Sequence, residues 1–546
     1  MSAISALQAA RAAYQPKLPT VFANGAAVNI VEGVATTAAA DLEQIQALFP
    51  ETYGAPKINF EANSNKTSVA TNVAVILSGG QAPGGHNVIA GIFDGIKSLN
   101  ADSKLYGFLG GPGGAVDNNY MEIDAAIMDA YRNTGGFDII GSGRTKLEDT
   151  AQFDQVIANC KALNLAALVI IGGDDSNTNG CVLAEYCKAQ NSGILVIGAP
   201  KTIDGDLKNE DIEASFGFDT ACKVYSELIG NISRDACSAR KYWHFIKVMG
   251  RSASHIALEC GLQTRANITL VSEEVEAKAM TLGGIVADIA DKVVKRAQKG
   301  EHFGMVVIPE GVIEFIPQMK VLIAELNDLL AHDLTLSASL PLSTDIAQLQ
   351  AKGLSEESAG VYISMPANIR QQLVMDRDPH GNVQVSRIET EKLIASMIEM
   401  YMQEKHADIH FSEQHHFFGY EGRCAAPSNF DADYCYSLGY TASALIGAGK
   451  TACLASVKNL KSPASQWIAG GIPLTSMMNI ERRHGADKPV IKKALVELDG
   501  APFKELSANR EQWALHSNYV FPGPIQYFGP TEVCDQPTIT LTLEQA

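Results

Sequence analysis

The chain has 546 residues, 46% apolar and 19% charged, with 47 Gly and only 21 Pro; this composition excludes disorder and, at roughly 100–200 residues per domain, predicts about two to four folded domains. Its 43 basic and 61 acidic residues leave a net charge of −18, which argues against broad nucleic-acid binding, so any anionic ligand must be held by local groups. No apolar run reaches the roughly 18–20 residues of a membrane span, and the start MSAISALQAARAAYQPKLP lacks the apolar core of a secretory signal. The 10 cysteines contain no C-x-x-C pair and read as buried thiols of a reducing compartment, so a soluble cytoplasmic protein is expected.

Residues 1–70 read as an N-terminal extension, helical around Leu42–Leu48, with a polar stretch Asn63-Ser-Asn-Lys66 before the first strong strand. Four short apolar runs then end in glycine: Val73-Ala-Val-Ile-Leu77 before Ser78-Gly79-Gly80, Leu105–Leu109 before Gly110-Gly111, Ala167–Ile171 before Gly172-Gly173, and Ile194–Ile197 before Gly198. Such runs are strands buried on both faces of a parallel sheet. Helical stretches at Asp154–Leu163 and Asn179–Gln190 alternate with them, which predicts βαβ units in a doubly wound α/β sheet. A second α/β region starts near Tyr242, with strands Phe245–Met249 and Met305–Ile308 and a helix Gly283–Lys299 between them. From about 315 to 410 the pattern turns helical (Gln318–Leu330, Glu391–Gln403), with a turn at Asp378-Pro-His-Gly381 and a capping box at Ser386-x-x-Glu389; this reads as an insertion. His410, His415 and His416 are expected to be surface or packing residues.

Ligands bind parallel α/β sheets beyond the carboxyl ends of the strands, where glycines bring backbone N–H groups against phosphate. Two familiar phosphate signatures fail. No G-x-G-x-x-G follows a strand with an acidic residue about 20 positions on, which also disfavours an NAD-type oxidoreductase. Gly449-Lys450-Thr451 mimics a P-loop end, but Ala444 stands where the first glycine belongs, so Gly449 reads as a helix terminator. Two acidic loops carry more. Gly172-Gly-Asp-Asp-Ser176 places Asp174 and Asp175 at a strand end, where Mg²⁺ or a lysine would offset their charge. Pro200-Lys-Thr-Ile-Asp-Gly-Asp206 offers a cation, a hydroxyl and a carboxylate within four residues, the types that phosphoryl transfer needs. A surface salt bridge is the plain alternative for Lys201 and Asp204.

At this point the chain resembles a known family. Ser78-Gly-Gly-Gln-Ala-Pro-Gly-Gly-His86, Gly172–Ser176, Pro200–Asp204, Met249-Gly-Arg251, Ile308-Pro-Glu-Gly311 and Gly419-Tyr-Glu-Gly-Arg423 look like phosphofructokinase motifs in order and spacing. The version is similar to the long-chain, pyrophosphate-dependent class. The resemblance implies two Rossmann-like three-layer α/β/α domains: a pyrophosphate-binding domain at 71–240 and a sugar-phosphate-binding domain from 241–314 and 411–460. The insertion at 315–410 and a C-terminal segment at 461–546 packing back on the domains complete the division. It implies reversible, Mg²⁺-dependent transfer of a phosphoryl group from pyrophosphate to the 1-hydroxyl of fructose 6-phosphate, with no nucleic-acid or membrane partner. ATP-dependent relatives carry glycine where this chain has Asp175 and Lys201. Asp175 would crowd a nucleotide's α-phosphate, and Lys201 would stabilise the phosphate left after transfer.

By position, the resemblance makes Asp204 the base, with Thr202 and Ile203 lining the acceptor hydroxyl. Asp174 holds the metal, and Gly80, Arg144 and Lys201 hold pyrophosphate. Arg251, Arg423 and Tyr420 clamp the 6-phosphate beside Glu421 and Gly422; Glu310 accepts from sugar hydroxyls, and Met249 and Gly250 shape the wall. Lys241 and Tyr242 resemble a segment that reaches a neighbouring subunit's sugar-phosphate site, which implies a homodimer; Trp243 beside them is expected to anchor packing at that subunit contact. On residue type alone, Met249 and Tyr420 fit a core equally well, and Arg251 and Arg423 fit structural ion pairs. The chain departs from compact members in the long span from Gly311 to Gly419, and in having Gln414 near the place of a sugar-site arginine. An ATP-dependent 6-phosphofructokinase and a non-catalytic regulatory subunit are the alternatives; Asp175 and Lys201 disfavour the first, and the presence of Asp204, Lys201, Asp174 and Arg251 disfavours the second.

Overall fold

The computed structural model describes residues 5–63, 69–375, 383, 385–483 and 486–525. By its internal contacts the chain forms two units: Met1–Ala221, Glu421–Ala494 and Ile525–Ala546 as far as described, and Cys222–Tyr420 with Leu495–Pro524. The first holds a nine-stranded sheet in the order Val28–Ala35, Pro56–Ala62, Ile468–Pro473, Cys453–Lys458, Leu195–Pro200, Leu165–Gly172, Asn72–Leu77, Leu105–Phe108, Tyr120–Ile123. Its five strands from Cys453–Lys458 to Leu105–Phe108 are parallel and its flanks antiparallel. The central strands carry unbroken apolar runs because neither face is wet. Ala74, Ile76, Leu168, Ile170 and Val196 pack with Phe153, Val156 and Leu183 from the helices Thr150–Ala162 and Asp174–Ala189. Asn429–Gly447 lies against the same sheet and pairs with the helix Gly85–Leu99.

Residues expected as a separate extension partly join this sheet: Val28–Ala35 and Pro56–Ala62 add its antiparallel edge through Ile468–Pro473. The edge leaves Val31 and Val34 exposed, so neither strand shows apolar alternation in the sequence. The helix Leu42–Leu48 is as expected; of the polar stretch, Ser64–Lys66 lie outside the described residues. Asn429–Gly447, grouped by sequence with the sugar-phosphate domain, belongs to the first unit, and Asp431 ties it to the start of the helix Phe218–Ala239 by accepting from Gly217 N and Thr220 N at 3.1 and 2.9 Å. Gly449 ends it at φ +67°, with Gly449 N and Lys450 N returning to Ile446 O and Leu445 O, so the terminator reading holds over the P-loop one.

The second unit holds four parallel strands in the order Glu413–Phe418, Lys241–Val248, His302–Pro309, Ile268–Thr269. The stretch expected as a helical insertion is helical over Pro317–His332, Ile346–Ala351, Glu356–Ser364, Ala367–Met375 and Thr390–Lys405, and its apolar faces share one core with the strands. A buried ion pair joins them: Lys247 Nζ lies 3.3 Å from Glu391 Oε2 and donates to Ile388 O at 2.9 Å. Trp243, expected at a subunit contact, is 1% exposed in this core, where the absence of a Cβ on Gly304 makes room for its ring. His416 stacks on His244 at a ring distance of 5.2 Å, a packing role. The last helix of that stretch starts at Thr390 with Glu389 at its N-cap, one turn later than a Ser386 box requires, and the Asp378–Gly381 turn lies outside the described residues.

Candidate active site

Three strand ends of the first unit deliver the acidic and glycine loops side by side. Leu77 pairs with Ile171 and Gly172 with Pro200 in the parallel ladder, so the chain leaves the sheet at Ser78, Gly173 and Lys201 together. Ser78 N donates to Ile171 O at 2.9 Å, Lys201 N to Gly172 O at 3.0 Å, and Ser176 Oγ to Ser78 Oγ at 2.8 Å. Asn177 Nδ2 donates to Gly172 O and Gly173 O at 2.6 and 3.0 Å, holding the double glycine open. Asp174 and Asp175 are the first two residues of the helix Asp174–Ala189, whose start the sequence suggested only at Asn179. Asp, Ser, Asn and Thr are weak helix formers, but carboxylates in a first turn face the positive end of the helix dipole.

Over these loops stand three cations. Lys201 is only 6% exposed, and a Cβ built on Gly79 would lie 3.3 Å from its Nζ. Burial, and then the nearby Arg423 charge, push its amine down to about 8. Arg423 Nη1 donates to Gln81 O at 3.2 Å. A Cβ on Gly80 would meet that Nη1 at 2.9 Å and Arg144 Nη2 at 3.6 Å, so Gly80 is the gap through which two guanidinium groups approach the loop. Arg144 is held by an interlock behind it: Gly79 N donates to Gly143 O at 2.9 Å, and a Cβ on Gly143 would overlap Gly110 O.

The carboxylates gather on the other side. Thr202 Oγ1 accepts from Asp204 N at 3.0 Å, Ile203 is buried, and Asp204 Oδ1 is buried with no hydrogen-bond partner. Asp206, also buried, is pushed up to about 6 by burial and then by its neighbours Asp204 and Asp174. Lys493 Nζ lies 3.4 Å from Asp174 Oδ2 and 4.0 Å from Asp206 Oδ2. Sequence reasoning missed both Asp206 and Lys493: the first sat within a quoted motif without a role, and the second stands 287 positions further on with no motif around it. Among the described residues, no group of three or more His, Cys, Asp or Glu side chains is arranged to hold a metal ion.

In the second unit, Met249, Gly250, Arg251, Glu310 and Tyr420 lie just beyond the carboxyl ends of three adjacent parallel strands, where Val248 pairs with both Pro309 and Phe418. Glu310 N donates to Val248 O at 3.0 Å, and the Met249 methyl would touch a Cβ on Gly419 at 3.0 Å. Met249 and Glu310 are buried, Arg251 is exposed, and Tyr420 is 71% exposed, so Tyr420 is no core residue. Of the neighbouring pair, Glu421 is exposed and Gly422 buried; Gln414 is exposed on its strand. Lys241 and Tyr242 sit at the opposite end of Lys241–Val248, roughly 25 Å of strand away from that group. Lys241 is exposed with its Nζ 4.9 Å from the Tyr242 ring centroid.

Glycine-rich exits from a parallel sheet here bring together a buried lysine, two arginines and a line of carboxylates, the residue types that phosphoryl transfer uses. Residues 72–446 match the phosphofructokinase family, and the chain belongs to that family. It is 58% identical over 548 residues to the pyrophosphate–fructose 6-phosphate 1-phosphotransferase of Porphyromonas gingivalis, with 99% of each chain covered. It is 54% identical over 557 residues to the enzyme of the same name from Treponema pallidum, covering 99% of this chain and 97% of that one. Among solved structures, a pyrophosphate-dependent phosphofructokinase from Marinobacter aquaeolei matches 82% of this chain and 93% of its own with a TM-score of 0.54 at 17% identity, a likeness of fold.

Proposed function

We infer that this chain transfers a phosphoryl group reversibly from pyrophosphate to the 1-hydroxyl of D-fructose 6-phosphate, giving fructose 1,6-bisphosphate and phosphate. The observation that carries the reading is the buried ammonium of Lys201 between the Gly79-Gly80 loop and Asp204. One loop supplies the charge for the departing phosphate and, three residues on, a carboxylate with an unmet oxygen. Asp204 takes the proton of the acceptor hydroxyl, with Thr202 and Ile203 beside it. Lys201, Arg144 and the Gly80 amide hold pyrophosphate, and Asp175, exposed in the first helical turn, is the group against which a nucleotide's α-phosphate would abut. Arg251, Glu310, Met249, Gly250, Tyr420, Glu421 and Gly422 hold the sugar phosphate, with Arg423 a further phosphate contact.

The buried oxygens of Asp174 and Asp204 that accept no hydrogen bond suit a divalent cation such as Mg²⁺, with Asp174 the residue that would hold it. A set this small fits an ion that also takes oxygens from substrate phosphate and water. When bound, it would neutralise charge on the transferring phosphate. Lys241 and Tyr242, remote from the sugar group of their own unit, are read as serving a second copy, which makes a homodimer. The free thiols of all nine described cysteines support a cytoplasmic setting.

The test is ³¹P NMR of the protein with fructose 6-phosphate, Mg²⁺ and pyrophosphate. A new phosphate-ester resonance and orthophosphate growing in equal amounts are expected. Orthophosphate without the ester would reduce the chain to a pyrophosphatase and overturn the reading.

A further inference from the structure

Lys493 enters the acidic cluster from a part of the chain that no motif marks, and its backbone is fixed on three sides. Ile491 N donates to Thr178 Oγ1 at 3.0 Å, Lys492 N to Met477 O at 2.9 Å, and Ala494 N to Asp206 O at 2.7 Å. Thr178 belongs to the helix that begins with Asp174 and Asp175, and Asp206 to the loop of Lys201 and Asp204. The segment is thereby stapled to both acidic loops. Its ammonium stands 3.4 Å from Asp174 Oδ2 and 4.0 Å from Asp206 Oδ2.

The same residue lines a cavity of about 600 Å³ bordered by Lys57, Lys208 and Lys492 and by the carboxylates Glu210 and Asp211. Lys201 is buried, whereas Lys493 is half-buried. An ammonium this close to Asp174 occupies the electrostatic place of a cation, and it would be repelled by a divalent ion bound to the same oxygen. A pyrophosphate accompanying the ion would then offer it a strong anion to receive it.

We propose that Lys493 is a residue of the pyrophosphate site, which holds the Asp174 carboxylate while metal and donor are absent and moves onto the pyrophosphate oxygens when they enter. This rests on the reading of Asp174 as the metal-holding carboxylate. Lysine suits the task as a compact charge on a flexible stem.

The experiment compares the full chain with K493M and K493R in two measurements. Mn²⁺ binding without substrates, followed by its EPR signal, should tighten about 10-fold in K493M, because the competing ammonium is gone. The KM for pyrophosphate should rise about 10-fold or more in K493M, the scale of one lost charged hydrogen bond. The KM for fructose 6-phosphate should stay within about two-fold, and K493R should recover most of the loss. An unchanged Mn²⁺ affinity, an unchanged KM for pyrophosphate, or an equal rise in both KM values would each overturn the proposal. Should K493M lose helical content by circular dichroism, K493Q supplies the same comparison. A wild-type chain inactive with pyrophosphate would strike the functional reading; an active one insensitive to K493M strikes this proposal alone.

Discussion

Lys201 N donates to Gly172 O at 3.0 Å, so the loop bearing the buried lysine leaves the sheet bonded to the loop bearing Asp174 and Asp175. Cation and carboxylates are therefore set by one ladder register, and motifs 29 residues apart in sequence act as one surface.

That burial gives Lys201 a titration near neutrality. Its amine is at about 8 in the folded chain against an ordinary 10.5. The ammonium proposed to hold pyrophosphate is present below about pH 8 and lost above it. The pH profile of kcat/KM for pyrophosphate, which reports the free protein, should fall with a midpoint near 8. In Lys201→Arg that alkaline limb should disappear, since guanidinium stays charged. Because the folded value is depressed, the unfolded chain holds more protons between about pH 8 and 10.5, so this group makes stability rise with pH across that window. A flat profile from pH 7 to 9 would contradict the assignment.

Gly80 is a gap rather than a hinge. In Gly80→Ala the new Cβ meets the movable tip of Arg423 at 2.9 Å, so the fold should tolerate it, with the unfolding temperature changed by less than about 2 °C. The displaced guanidinium should raise the KM for pyrophosphate about 10-fold, the scale of a charged hydrogen bond. Steady-state kinetics beside a thermal melt separate the two effects.

Asp204→Ser keeps a polar group beside Thr202 and removes the proposed base. Turnover should fall about 10²–10⁴-fold, while the KM for either substrate changes far less. Unchanged kcat would remove Asp204 from the chemistry.

Lys247 and Glu391 hold the helical insertion on the strand that leads to Met249. Each side chain is almost fully buried, so Lys247→Met leaves a carboxylate stranded and should cost about 3–5 kcal/mol. Lys247→Met combined with Glu391→Leu should recover much of that loss. Denaturant unfolding of the single and double variants checks it; equal loss in both would mean that packing, not charge, is the cause.

What could be read in the sequence follows from burial. Val73–Leu77 and Ala167–Ile171 announced themselves because both faces of the sheet are dry, and the glycine loops because tight strand exits need them. Val28–Ala35, at the sheet's edge, and Pro56–Ala62 beside it gave no such pattern, because most of their side chains are exposed or only half-buried. The helix start at Asp174 hid behind residues of low helix propensity that suit a first turn. Lys493 and Asp206 could not be paired from sequence, because a hairpin, Met478–Arg483 with Ala486–Ile491, brings Lys493 back from a distance. Arg423 was expected from its motif to contact phosphate, but its seat on Gly80 depends on the fold.

The most direct measurement is the initial rate with fructose 6-phosphate and Mg²⁺, with pyrophosphate as donor in one series and ATP in the other. Turnover with pyrophosphate and none above background with ATP is the result predicted by Asp175 and Lys201 as the donor-selecting pair. Turnover with ATP and none with pyrophosphate would contradict it.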